Sequence, residues 1–274
     1  MHRVADDRAA FRLRVLSALA LVPVALGVVV AGGWIYAGFV GLLAVLMALE
    51  WRRLSEARFG APCGRLTGAV ALAVGLVATI LAALGRPREA LACVTLGMVL
   101  AGVLVRKRAA ASVWAGIGVA LVGLPAVALV WLRAIPELGL GLLLWLLIVV
   151  WTTDTAAYVV GRSVGGPRLA PSISPGKTWS GLWGGVIGAS VASVITAWAL
   201  GYGRLAQFAG LGAAFAVLAQ LGDLAESALK RRAGVKDSGS LIPGHGGVLD
   251  RVDGFLLTAP ALTLLVGSGT WSAD

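Results

Sequence analysis

Nine long apolar runs, parted by short polar or Gly/Pro-rich breaks, constrain this chain more than any other feature. They extend approximately from Leu13 to Ala31, Trp34 to Leu49, Leu66 to Leu84, Glu89 to Val105, Ser112 to Leu132, Leu138 to Val160, Gly181 to Leu200, Leu205 to Gly222 and Gly254 to Val266. A helix needs roughly 20 apolar residues to cross a bilayer, and lipid accepts only helices or closed barrels because no water is there to satisfy a bare backbone. The expected fold class is therefore all-α: a polytopic integral membrane helical bundle with about nine transmembrane helices. The last run is short. With 59% hydrophobic and 13% charged residues, the 274-residue chain lies outside the usual range of water-soluble globules and is too apolar to stay disordered. The first run is too long for a cleavable signal and is expected to remain as an anchor.

Basic residues give the orientation. With the N terminus in the cytoplasm, only Arg86, Arg88, Arg133 and Arg204 of the 23 Lys and Arg residues fall outside. Cytoplasmic loops normally carry that excess, so nine spans would leave the C terminus outside. In a membrane protein such a basic balance reads as loops beside anionic lipid, and no nucleic-acid partner is expected. Trp34, Trp51, Trp114, Trp131 and Trp179 lie near the expected span ends, where an indole can sit in the interface. The two cysteines, Cys63 and Cys93, show neither metal-ligand spacing nor a disulfide framework.

The chain is chemically lopsided. Residues 1–150 keep their polar groups almost wholly in the loops and read as a scaffold of transmembrane helices, whereas residues 151–274 carry polar groups in or beside the spans and read as the catalytic region. Asp154 lies inside the sixth run, four residues before Tyr158 and on the same helix face. A carboxylate there costs about 2.5–3.5 kcal/mol on insertion scales, so it should face protein, water or a cation, or else reach the headgroups or Arg162. The following loop holds Ser174, Lys177 and Thr178 in Ser-Pro-Gly-Lys-Thr. It is not a P-loop, because Pro171 stands where that motif needs glycine. A glycine- and hydroxyl-rich turn entering a helix could still hold an anion, or be a solvated connection.

Acids gather farther on. Asp223, Glu226 and Lys230 are spaced i, i+3 and i+7 and share one helix face, followed by Arg231, Arg232, Lys236 and Asp237. His245 then stands among glycines, and Asp250, Arg251 and Asp253 precede the last run. If the last helix starts there, Asp250 and Asp253 face the same way. Carboxylates crowded beside a membrane repel one another unless a cation joins them, and oxygen-only ligands suit Mg²⁺ or a second hard cation rather than zinc. His245 has no Cys or His set around it; it is either a turn residue or a direct participant. Acids that hold Mg²⁺, together with basic side chains and exposed backbone N–H groups, suit phosphate transfer from a nucleotide.

The stretch from Ser227 to Asp253, with Ser-Ala-Leu-Lys-Arg, Lys236-Asp237, Ile-Pro-Gly-His-Gly-Gly and Asp-Arg-Val-Asp, resembles the signature of the phosphatidate cytidylyltransferase family, also called CDP-diacylglycerol synthase. Asp154-Thr-Ala-Ala-Tyr158, Ser174-Pro-Gly-Lys-Thr178 and Gly222-Asp223-Leu-Ala-Glu226 resemble other blocks of that family. The resemblance covers residues from about 150 to 255 and implies a Mg²⁺-dependent reaction of CTP with phosphatidic acid at the cytoplasmic face of a bacterial-type inner membrane. It implies Asp223 and Asp250 as cation ligands, and a homodimer as an expected partner state. From charge and spacing, Lys230 and Asp253 would join the catalytic set. Asp154, Ser174, Lys177, Thr178, Glu226, Arg231, Lys236, His245 and Arg251 would bind or orient substrate.

One departure stands out: the family commonly has a second lysine and a glutamate where this chain has Gly176 and Ser180. Two further readings stay open. One is a related CTP-dependent enzyme acting on an ether-lipid phosphate or a polyprenol, and the other is an ion-coupled transporter.

Overall fold

The computed structural model describes residues 22–239 and 246–269. Ten helices and one strand pair account for most of them. A short helix α1 (Val22–Ala31) is followed by α2 (Gly33–Phe59), α3 (Ala61–Ala83), α4 (Pro87–Leu104), α5 (Ala109–Ala134) and α6 (Gly139–Val164). Strands β1 (Arg168–Ala170) and β2 (Ser174–Thr178) come next, then α7 (Trp179–Ala199), α8 (Leu205–Arg232), the single turn α9 (Leu249–Val252) and α10 (Phe255–Gly267). Among the described residues, seven helices, α2 to α8, are long and apolar enough to cross a membrane. The chain is thus an all-α polytopic membrane protein. The first expected span is described only from Val22 onward, and the last is the 13-residue α10.

Local chemistry sets the breaks between helices. Gly60, at φ 91°, ends α2 and leads into Pro62 in the first turn of α3, while Pro87 opens α4. Proline suits that position because its missing N–H would have no helical partner there. Thr178 caps α7, its Oγ1 accepting from the Gly181 amide at 3.1 Å. The helices are apolar around most of their circumference, so large side chains such as Leu96, Trp198 and Leu264 remain outward and exposed, as lipid requires.

The chain forms two compact units, one drawn from Met1–Val130 and Ala233–Arg251, the other from Trp131–Arg232 and Val252–Asp274. In the first, α2 packs on α3 and α3 on α4. Trp51 and Trp114 stack there at 4.8 Å between ring centroids, both buried, and Trp114 Nε1 donates to Ser55 Oγ at 2.9 Å. These two indoles therefore do not mark the interface as their positions in the sequence suggested. α2 runs on past the apolar stretch to Phe59, which carries Trp51 inward, and Gly118 leaves the room its ring occupies. Trp34 and Trp179 are exposed, in keeping with interfacial anchoring.

In the second unit, α6 packs on α7, α7 on α8, and α10 on α8. Small residues bring α6 and α7 together: a Cβ on Gly181 would meet the Ala157 carbonyl at 2.8 Å, and one on Gly185 the Thr153 carbonyl at 3.0 Å. Trp145 donates to Ser193 Oγ at 2.8 Å, which satisfies the one polar atom of a buried ring. The connection expected as a turn is an antiparallel hairpin, with Arg168 opposite Thr178 and Ala170 opposite Ser174. Pro167, Pro171 and Pro175 exclude helix from this segment and favour extended backbone.

Asp250 and Asp253 do not start a common last helix. Asp250 lies in α9, the chain turns at Asp253 and Gly254, and α10 begins only at Phe255. Asp253 Oδ1 accepts from the Gly254 amide at 2.8 Å, a local bond that competes with continuing the helix.

Candidate active site

The site of the second unit is built on α8. Asp223 and Glu226 stand one turn apart on it, and Lys230 follows one turn later. The turn before α10 delivers Asp253 against the same helix. Gly222 makes the approach possible, since a Cβ there would lie 2.5 Å from the Asp253 carbonyl oxygen. Asp223, Glu226 and Asp253 each present one carboxylate oxygen within 4.8 Å of the others.

Basic groups answer part of this negative charge. Lys177, at the end of β2, places Nζ 2.7 Å from Asp223 Oδ2 and donates to the Gln220 carbonyl at 3.4 Å. Asp223 Oδ1 accepts from Ser227 Oγ at 3.2 Å. Lys230 Nζ lies 2.6 Å from Glu226 Oε2, and both side chains are buried. Gln220 Nε2 donates to Asp154 Oδ1 at 3.5 Å, joining α8 to α6. Arg162 turns to the Tyr158 hydroxyl at 3.5 Å.

Four carboxylates thus face two ammonium groups. Burial pushes the Asp253 carboxyl up to about 7, with the charges of Asp223 and Asp154 adding to it against the lowering effects of the Gly254 amide and Lys230. A carboxyl that resists ionisation beside two other acids is what a bound cation would relieve. The donors are all oxygen, the kind Mg²⁺ prefers, and one atom of each acid lies within 4.8 Å of the others. The residues fit a hard divalent cation.

The hairpin supplies the remaining predicted groups of this unit. Ser174 is part-buried on β2, while Thr178 is buried and its Oγ1 is engaged in the α7 cap and with Ser180 Oγ at 3.0 Å. Ser180 Oγ also donates to the Gly165 carbonyl, so the residue that departs from the family pattern holds the loop instead. Arg231 Nε donates to the Ile173 carbonyl at 3.2 Å, tying the end of α8 to the hairpin.

In the first unit, Asp250 Oδ2 accepts from the Gly247 amide at 2.8 Å, the Ser238 amide at 3.2 Å and Ser238 Oγ at 3.0 Å. Lys236 and Arg251 are exposed there. His245 lies outside the described residues. Sequence reasoning missed Gln220, visible as an amide three residues before Asp223 in an apolar run, and it missed Glu50. Glu50 is wholly buried and accepts from the amides of Val248 at 2.7 Å and Leu249 at 2.8 Å. Its only sequence signal is an acid placed directly after an apolar run.

Gly222→Ala is expected to destabilise the protein by about 1–3 kcal/mol, because the new methyl group meets backbone rather than a flexible side chain. Thermal unfolding in detergent measures it, and an unchanged midpoint would show that the turn at Asp253 yields freely.

A model of the cytidylyltransferase family matches residues 12–268. A phosphatidate cytidylyltransferase of Brucella suis is 40% identical over 263 residues, which cover 93% of this chain and 92% of that protein. A phosphatidate cytidylyltransferase of Pseudomonas aeruginosa is 38% identical over 275 residues, covering 95% and 98%. One from Bacillus subtilis is 43% identical over 142 residues, about half of each chain.

Proposed function

The chain belongs to the cytidylyltransferase family, and from that premise we propose that it transfers CMP from CTP to phosphatidic acid, giving CDP-diacylglycerol and pyrophosphate for phospholipid biosynthesis. The observation that carries this reading is the cluster of Asp223, Glu226 and Asp253 with Lys177 and Lys230 against it, in a chain of membrane-length helices. Nucleotide chemistry on a lipid needs both parts.

Asp223, Glu226 and Asp253 have the donors and spacing to hold Mg²⁺, and the resemblance also implies Asp250 as a cation ligand. Bound there, the cation would neutralise nucleotide phosphates and stabilise the charge that builds on departing pyrophosphate. An oxygen of the lipid phosphate attacks the α-phosphorus of CTP. The bond from that phosphorus to the bridging oxygen breaks, and pyrophosphate leaves with the electron pair. The attacking phosphate is already ionised, so no side chain has to remove a proton.

The main task of the protein is to bring two anions together. Lys177 and Lys230 supply positive charge while their pairing with Asp223 and Glu226 fixes where it sits. Asp154 and Gln220 orient that end of α8, Arg231 and Thr178 hold the hairpin that carries Lys177 and Ser174, and Lys236, His245 and Arg251 are further groups for substrate. The same proposal has nine crossings, the N terminus and the chemistry on the cytoplasmic side of the inner membrane, and a homodimer formed through faces rich in Gly and Ala.

With Mg²⁺, the purified protein is expected to release pyrophosphate only when CTP and phosphatidic acid are both present. Chelation should stop the release and added Mg²⁺ restore it, while Lys107→Ala, in an exposed loop, should change little. Comparing phosphatidic acid, an archaetidic-type lipid and diacylglycerol side by side tests the acceptor. Faster turnover of either alternative would reassign it.

A further inference from the structure

Glu50 has no place in the mechanism above, yet it is one of the most constrained side chains in the first unit. It is fully buried in the second half of α2, where an ionised carboxylate costs several kcal/mol unless polar groups satisfy it. Three donors do so, all from the Ala233–Arg251 segment: the Val248 amide on Oε1, and the Leu249 amide and Ser238 hydroxyl on Oε2, at 2.7, 2.8 and 2.9 Å. Gly247 lets the segment come this close, because a Cβ there would lie 2.6 Å from Glu50 Oε2 and would run into Ser238 Oγ.

The Ser238 hydroxyl connects this carboxylate to the predicted ligand. Its oxygen lies 2.9 Å from Glu50 Oε2 and 3.0 Å from Asp250 Oδ2, and a hydroxyl has one proton for both. When Glu50 takes it, Asp250 keeps acceptor capacity for another charge. The amides that Glu50 grips immediately precede Asp250 in the chain, so the same side chain also fixes the backbone from which Asp250 projects.

We propose that Glu50 is a positioning residue which, through Ser238 and the amides of Val248 and Leu249, sets the place and availability of Asp250 and thereby the divalent-cation requirement of CMP transfer. This rests on the reading of Asp250 as a cation ligand. Groups that orient a metal ligand typically contribute 10–100-fold to metal affinity.

The test uses the full chain in lipid nanodiscs, with Glu50→Gln, Glu50→Asp and Ser238→Ala. Mn²⁺ binding followed by electron paramagnetic resonance, the Mg²⁺ dependence of pyrophosphate release and the thermal midpoint are measured for each. Glu50→Gln should raise the half-saturating Mg²⁺ concentration and the Mn²⁺ dissociation constant together, roughly tenfold, with turnover restored by excess Mg²⁺. Glu50→Asp should fall between it and the unaltered protein, and Ser238→Ala should shift in the same direction by less. A role confined to folding would instead lower the midpoint and leave a loss that Mg²⁺ does not rescue. That outcome, or an unchanged Mg²⁺ dependence, overturns the proposal. If Glu50→Gln fails to fold, Ser238→Ala decides, since it leaves both amide bonds to Glu50 in place. Unaltered protein that binds no Mn²⁺, or Asp250→Asn protein that binds it as tightly as the unaltered chain, overturns the reading of Asp250 as a ligand and this proposal with it.

Discussion

Asp223→Ala should reduce CMP transfer at least a thousandfold, equivalent to about 4 kcal/mol of barrier, while the protein remains in the membrane. Three losses coincide at this position. One oxygen donor leaves the Asp223, Glu226 and Asp253 cluster. Lys177 loses the carboxylate 2.7 Å from its Nζ, so its charge is no longer held at the site. Asp253 also loses a neighbouring charge that adds to burial in raising its carboxyl, which changes the balance of the remaining acids. Asp223→Asn keeps the shape of the side chain and should be nearly as inactive, which separates charge from packing. The measurements are pyrophosphate release under saturating CTP and phosphatidic acid, and Mn²⁺ binding by the same samples. Full activity in either variant would sink the assignment of this carboxylate.

Glu226→Ala is expected to cost about 3–5 kcal/mol of stability, the usual consequence of removing one member of a buried ion pair. Glu226 is wholly buried and Lys230 nearly so, with 2.6 Å between their charged atoms. Taking away the acid leaves a buried ammonium without its 2.6 Å partner, with Asp253 the remaining acid whose carboxyl its charge reaches. The double variant Glu226→Leu with Lys230→Met restores similar volumes without charge, and it should recover most of the thermal midpoint but no turnover. Equal midpoints for the single and double variants would mean that Lys230 finds solvent when Glu226 is gone. Recovery of stability without activity would show that the pair is kept for chemistry rather than for holding the fold.

Helix identity was legible because lipid imposes a length and a composition on every crossing, and most helix bounds fall within a few residues of the apolar runs. α8 extends past its run from Gly222 to Arg232 because its charged side chains either pair inside, as Glu226 and Lys230 do, or are exposed, as Arg231 and Arg232 are. The strand pair at residues 168–178 was not legible, since its pattern is one of prolines and glycines rather than of alternating apolar residues. The shared face of Asp223, Glu226 and Lys230 followed from helical spacing alone. The inward position of Trp51 did not, because it depends on a glycine 67 positions later, Gly118.

Sequence by itself determined that this chain is a helical membrane protein, and that the polar side chains gathered in its second half offer oxygen and ammonium groups. Those properties belong to residue types and local periodicity. Only the tertiary structure decided that Asp253 joins Asp223 and Glu226, that Lys177 pairs with Asp223, and that Glu50 grips the segment leading into Asp250 from 198 residues away. Such pairings depend on how closely two backbones can approach. At Gly222 and Gly247 that closeness comes from an absent Cβ, a feature whose meaning appears only when the opposing chain is in place.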